Sequence, residues 1–362
     1  MQTTHPDRAP FEVMAPEVGE PAPFFTAPTG GVPRYSLDAA AGRWIVLMFF
    51  GSLSSPPSLE ALDLTLRRRE VFNDLDAAFY GVSVDPADQQ QRGLIDSEPG
   101  VRFFWDFDHA VSRLYGIASD QFLRPAVFLI DPGFRIALAE PIEDAMAVID
   151  RLEQELRDAP APADSPTAPI LTLPRVFEPE LCAELIDYFR GGQASPSGFA
   201  IEVEGRTVLQ SNPDFKRRND VMIDDEALIE RLRDRLEARL FPAIRRAFRW
   251  RARHIERFLI CRYGAEDQGF FFPHRDDATA GTAHRQFAVS LNLNADYEGG
   301  DLKFREFGPR AYRPPAGGAT VFSCALLHEA TPVTRGERFV FVPFLYDDEG
   351  ERIRQANLSR VG

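Results

Sequence analysis

Cysteine is scarce in this chain, with only Cys182, Cys261 and Cys324 among 362 residues. They are odd in number, far apart and form no CxxC, which argues against a disulfide framework and a zinc knuckle and favours a reducing, cytoplasmic setting. No stretch approaches the roughly 18 continuous apolar residues of a membrane helix, so no membrane partner is expected. The opening MQTTHPDRAPFEVMAPEVGE has neither an apolar run nor a basic start, so no signal peptide is expected. Basic charge is also lacking: the net charge is -14 and the isoelectric point near 5.0. A protein that tracks phosphates needs a basic footprint, so nucleic acid is not an expected partner. No repeat of fixed period is present.

What is present is an ordinary globular composition, 44% hydrophobic and 27% charged, long enough for two cores. The clearest break is APAPADSPTAP, residues 159–169, whose proline and alanine content predicts a semi-extended linker. The expected division is therefore 1–158, a linker at 159–169, and 170–362. Before the linker, strand and helix alternate. Trp44–Phe50 reads as a strand buried on both faces, Leu59–Phe72 as a helix and Phe79–Val84 as a strand. Asp108–Tyr115 then reads as a short helix, with strands at Ala126–Ile130 and Arg135–Ala139. That spacing predicts an α/β sheet with helices on its faces.

Behind the linker, Glu178–Phe189 and Asp225–Phe248 have helical periodicity. The runs IERFLICRY, QFAVSLNLN, DLKFREF, ATVFSCALL and RFVFVPFLY then read as strands separated by turn residues. Many short strands predict a sandwich or double-sheet barrel with the two helices outside.

His274 and Asp276 stand two residues apart, a spacing that puts both on one face of an extended segment. His328 follows at the end of ATVFSCALLH. Two histidines and a carboxylate on one side of a metal leave the other side open, the facial arrangement of non-haem Fe(II) oxygenases. Arg338 comes ten residues later within an apolar strand. A buried arginine is costly without an anion, and its fork suits the distal carboxylate of a dicarboxylic acid. Arg335, before Gly336, is expected to be solvated.

In order, Arg262-Tyr263-Gly264, His274-Arg275-Asp276, Glu298–Leu302, Gly318–Phe322 and His328–Arg338 resemble the motifs of the prolyl-4-hydroxylase-type branch of the 2-oxoglutarate/Fe(II) dioxygenases. The resemblance implies a double-stranded β-helix (jelly roll) over residues 170–348, with His274, Asp276 and His328 on iron. It also implies that Arg338 and Tyr263 hold 2-oxoglutarate, with ascorbate as reductant. The implied activity is hydroxylation of an aliphatic C–H on a peptidyl side chain of prolyl type or on an amino-acid-like metabolite, releasing succinate and CO2. The chain departs from the family at Phe271, where many relatives carry tyrosine. The rival reading is an interaction protein with an idle rear domain; a nucleic-acid demethylase fits the acidic charge poorly.

Other residues stay open. Lys216 to Asp220 lie where relatives carry substrate-loop arginines, but a solvated basic patch explains them as well. His284 reads as an exposed loop histidine. Asn292 and Asn294 face either substrate or the sheet. Cys261 and Cys324 read as small core residues.

In the front half, Gly19–Phe24, the strand WIVLMFFGS and Arg124–Asp131 resemble the peroxiredoxin (AhpC/TSA) branch of thioredoxin-like folds. That branch needs a thiolate after the first core strand. Here the loop Gly51–Ser58 offers only serines, Ser58 standing nearest the reactive position. The expectation is a redox-inactive domain that docks a protein partner or substrate.

Overall fold

The computed structural model describes residues 15–90, 94, 96, 99–159 and 165–361. Most of the opening read for a signal peptide (1–14) and the middle of the expected linker (160–164) lie outside the described residues. The chain divides into two compact units, 1–165 with 305–308, and 166–304 with 309–362. No described helix is long and apolar enough to cross a membrane.

The first unit is built on β1 (Trp44–Gly51), whose residues after Trp44 are all buried. Its neighbours are β2 (Ala77–Ser83), β3 (Val101–Trp105), β4 (Ala126–Ile130) and β5 (Ile136–Pro141), in the order β3-β2-β1-β4-β5. β1, β2 and β3 run parallel, while β4 and β5 are antiparallel to their neighbours. Alternation sorts the β1 side chains. Val46, Met48 and Phe50 meet α1 (Pro56–Leu66) and α3 (Ala145–Arg157) in one core. Phe49 instead meets Tyr115, which follows α2 (Ala110–Leu114). This is the thioredoxin-like α/β sheet the sequence implies. The helix expected at Leu59–Phe72 starts earlier, because Pro56 and Pro57 occupy its first positions, where a fixed φ is preorganised. β3 was not anticipated.

The second unit packs α4 (Pro179–Gly191), α5 (Glu226–Arg235) and α6 (Phe241–Phe248) against one face of a large sheet. Leu185, Leu232, Leu236, Leu240 and Ile244 are fully buried there, each side chain giving about 1.5–3 kcal/mol on burial. The helix expected at Asp225–Phe248 contains a π turn, Leu236–Leu240, just before Pro242. Proline lacks the N–H for an i→i−4 bond, and the widened turn accommodates it.

Facing the helices are β9 (Leu259–Gly264), β11 (Phe287–Asn292), β12 (Ala319–Ser323) and β14 (Glu337–Phe341), in a nine-stranded sheet that also holds β8 (Asn219–Met222) and β15 (Phe344–Tyr346). A five-stranded sheet contains Lys216–Arg217, β10 (Phe270–His274) and β13 (His328–Ala330). Leu259, Cys261, Tyr263 and Val340 of the large sheet meet Phe271 and Ala330 of the small one, which makes the expected jelly-roll sandwich.

Several strand runs differ from expectation. IERFLICRY breaks at Arg257, which has φ +53, and RFVFVPFLY breaks at Pro343. DLKFREF keeps only Leu302–Lys303 as strand. The hairpin of β6 (Phe199–Val203) and β7 (Arg206–Gln210) and the terminal helix α7 (Asp348–Asn357) were not anticipated.

Candidate metal centre

His274 ends β10 and His328 opens β13, and the two are direct cross-strand partners. His328 therefore does not close the preceding strand, as the run ATVFSCALLH suggested; that strand stops at Ser323 and a turn intervenes. Asp276 is likewise not on a strand but in the turn after β10, where its N–H donates to Cys324 O at 3.0 Å. The carboxylate lies 3.6 Å from His274 Nε2 and 3.3 Å from His328 Nε2. One ligand atom from each of the three residues falls within 4.8 Å of the others.

Both imidazoles are oriented by the same local device. His274 Nδ1 lies 2.7 Å from Phe272 O, and His328 Nδ1 lies 3.0 Å from Leu326 O. A carbonyl only accepts, so each Nδ1 carries the proton and each Nε2 presents a lone pair beside Asp276. Burial, reinforced by His328, pushes the His274 imidazole well below its ordinary range and keeps it neutral at pH 7. Burial also acts to raise the Asp276 carboxyl, but His328 and His274, when they carry charge, outweigh it and hold the group below the usual carboxylate range. Neutral nitrogen donors and one ionised oxygen donor suit a divalent first-row ion such as Fe(II). Phe271 stacks on His274 with centroids 3.5 Å apart, and Phe322 stands edge-on to His328 at 4.6 Å. These rings limit water on one side of the centre.

Arg338 is 2% exposed. It donates through Nε to Asn292 Oδ1 at 3.1 Å and through one Nη to Ser290 Oγ at 2.9 Å and Asn292 Oδ1 at 3.0 Å. No carboxylate is in ion-pair range of it among the described residues. Register places Tyr263 directly opposite, and the guanidinium lies 5.6 Å from the Tyr263 ring centroid. Alternation explains the chamber. Val289, Leu291, Ala319 and Val321 turn to the helices, so Ser290, Asn292 and Thr320 turn to the other face, with Arg338. Thr320 is paired with Ser290 across the strands, and its buried hydroxyl has no partner. A buried cation and an orphaned hydroxyl on one wall fit a bound carboxylate.

Residues 258–346 match the family model of the 2OG-Fe(II) oxygenase superfamily. The second unit carries a 2OG-Fe(II) oxygenase domain. Residues 18–139 match the AhpC/TSA family. A PKHD-type hydroxylase from Synechococcus sp. (strain JA-2-3B'a(2-13)) is 35% identical over 79 residues, 20% of this chain and 35% of that protein. A multifunctional procollagen lysine hydroxylase and glycosyltransferase from Rattus norvegicus is 32% identical over 111 residues, 29% of this chain and 13% of that protein. The chain thus spans about a third or less of the length of these relatives. Among solved structures, the prolyl hydroxylase from Trichoplax adhaerens in complex with a hypoxia inducible factor peptide aligns at a TM-score of 0.41 and 15% identity, covering 52% of this chain and 87% of that one.

The structure settles several other residues of the oxygenase domain, some of them against expectation. His284 is buried, not exposed, and pairs through Nε2 with Glu256 Oε2 at 2.8 Å. Asn292 is occupied on both sides, holding Arg338 and donating to Tyr297 Oη and Pro314 O. Asn294 pins the backbone of β14, accepting from Phe339 N and donating to Glu337 O. The segment 216–220 is not a solvated patch: Lys216 and Arg218 are buried, and Arg218 pairs with Asp220 at 2.7 Å. Arg217 instead bonds the backbone oxygens of Pro213 and Asp267. Arg335 is exposed and pairs with Glu298. Ser290 and Thr320 were missed; their signal was a polar residue at alternate positions of apolar strands.

In the AhpC/TSA domain, Ser58 sits in the first turn of α1, buried and with its hydroxyl unpartnered. The loop before it is closed by carboxylates. Asp88, 1% exposed, accepts from Leu53 N at 3.2 Å and Ser83 Oγ at 2.7 Å, and Asp85 accepts from Ser52 Oγ at 2.7 Å.

Proposed function

We propose that the chain is an Fe(II)- and 2-oxoglutarate-dependent dioxygenase that hydroxylates an aliphatic C–H of a peptidyl side chain or an amino-acid-like metabolite. The observation that carries this reading is the convergence of His274 Nε2, His328 Nε2 and Asp276 in a unit that also buries Arg338, which has no acid in ion-pair range among the described residues. In this reading the three residues hold the iron and Arg338 clamps the distal carboxylate of 2-oxoglutarate. Tyr263 and the free hydroxyl of Thr320 offer further hydrogen bonds. Bound there, Fe(II) would let O2 oxidise 2-oxoglutarate to succinate and CO2, one oxygen atom passing to succinate and the other to the substrate carbon as hydroxyl. The protein contributes position and dryness rather than acid–base work. The Nδ1 bonds to backbone hold both imidazoles in one tautomer and orientation, Asn292 and Ser290 hold the guanidinium in place, and Phe271 and Phe322 wall the centre.

The test is anaerobic titration of the full chain with Fe(II) and 2-oxoglutarate, read by the charge-transfer absorbance of the pair. The band is expected with the unaltered chain and lost in Asp276→Ala, and Arg338→Met is expected to need far more 2-oxoglutarate. A band of equal strength in all three would sink the assignment.

A further inference from the structure

One buried amine near the candidate metal centre, that of Lys216, has no ion-pair partner among the described residues. Of the chain's 41 lysines and arginines, only Lys216 and Lys303 are lysines, and Lys216 is 7% exposed. It pairs in register with Phe271, and its ammonium lies 4.2 Å from the Phe271 ring centroid. The same ring stacks on the imidazole of His274. Lys216 is therefore one aromatic ring away from a residue of the candidate metal centre.

The ammonium has three donors, and one of them reaches Gly198 O at 2.7 Å. No further protein acceptor is in reach among the described residues. Asp220, the acid of its own segment, is committed to Arg218 and Ser197. Burial, with Arg218 beside it, drives the Lys216 amine well below the usual lysine range. A bare tether to Gly198 would not need a charge. A compact ammonium whose charge burial opposes when it is unpaired and an anion favours does need lysine rather than the forked, permanently charged arginine used almost everywhere else in this chain.

We propose that the Lys216 ammonium receives a single carboxylate of the substrate, so that the molecule hydroxylated is a free carboxylic acid of amino-acid size. The single unpaired ammonium of Lys216 matches a monoanion rather than a phosphate dianion. The surroundings suit the rest of such a molecule, since Phe271 continues into Phe215 and Phe199. This proposal rests on the oxygenase reading and chooses between its substrate classes.

The scarcity of lysine supplies the test. The full chain is labelled with isotopic lysine and loaded with Zn(II) and 2-oxoglutarate, so that two side-chain amine signals remain; Lys216→Met and Lys216→Arg each assign the one that disappears. The standard free L-amino acids and their amides are then titrated in. The expected result is that at least one free acid at millimolar concentration moves the Lys216 signal toward the charged form, its amide does not, and Lys303 stays still. A Lys216 signal that no acid moves, that acid and amide move alike, or that responds only to a peptide ending in the same residue overturns the proposal. Absence of the Fe(II)–2-oxoglutarate absorbance in the unaltered chain would instead defeat the oxygenase reading, so the two failures are distinguishable.

Discussion

At the scale of single residues, the oxygenase domain trades stability for charge. Lys216→Met removes a buried amine that no protein anion pairs, at the loss of one hydrogen bond to Gly198. An amine whose charge burial opposes carries a cost that an apolar side chain of similar length does not, so the substitution is expected to raise stability by about 1 kcal/mol, read as a higher urea midpoint. A lower midpoint would make Lys216 a structural tether. Asp220 behaves in the opposite sense. Burial alone would raise its carboxyl, but Arg218, by charge and hydrogen bond, holds it at about 2. Its unfolded value is near 3.9, so the stabilisation is complete above about pH 4 and is lost as pH falls toward 2. The amount is about 2–3 kcal/mol, and it is expected to vanish from the stability–pH curve of Asp220→Asn. The convergence of His274, Asp276 and His328 and the burial of Arg338 were legible in the sequence, because the proposed metal and dicarboxylate would restrict residue type. His284, Ser290 and Thr320 were not, because only register decides which of them is buried and against what.

Among the elements, long or uninterrupted patterns were readable and local interruptions were not. β1 announced itself by eight residues of nearly pure apolar character. The β6–β7 hairpin did not, because its turn is Glu204-Gly205, with φ of 50 and 76. Two consecutive positive φ values fit the type I′ hairpin turn, which ordinarily advertises itself as Asn-Gly or Asp-Gly. Glutamate at the first position hides the signal and carries strain. Glu204→Asn is therefore expected to stabilise the domain by about 0.5–1 kcal/mol, seen as slower proteolysis within residues 199–210; faster cleavage would argue against that turn. The π turn before Pro242 and the break at Arg257 were equally invisible, since each depends on how a neighbouring element uses the backbone. α7 begins where Asp347 accepts from Glu349 N and Gly350 N, a cap that the charged sequence DDEGER did not make conspicuous.

On the scale of the whole molecule, a thioredoxin-like domain without cysteine shares a chain with an oxygenase domain in which His274, Asp276 and His328 converge. The front domain contains no cysteine; the loop after β1 carries serines, and its Leu53 N–H donates to the buried Asp88. Residues 1–158 are expected to consume no peroxide with a thiol donor, and robust consumption would overturn that view. For the chain as a whole, the decisive measurement is succinate formed from 2-oxoglutarate with Fe(II) and oxygen, by the unaltered chain and by His274→Ala and Asp276→Ala. The account predicts succinate from the first and none above background from the other two. Equal succinate from all three, or none from any, would contradict it.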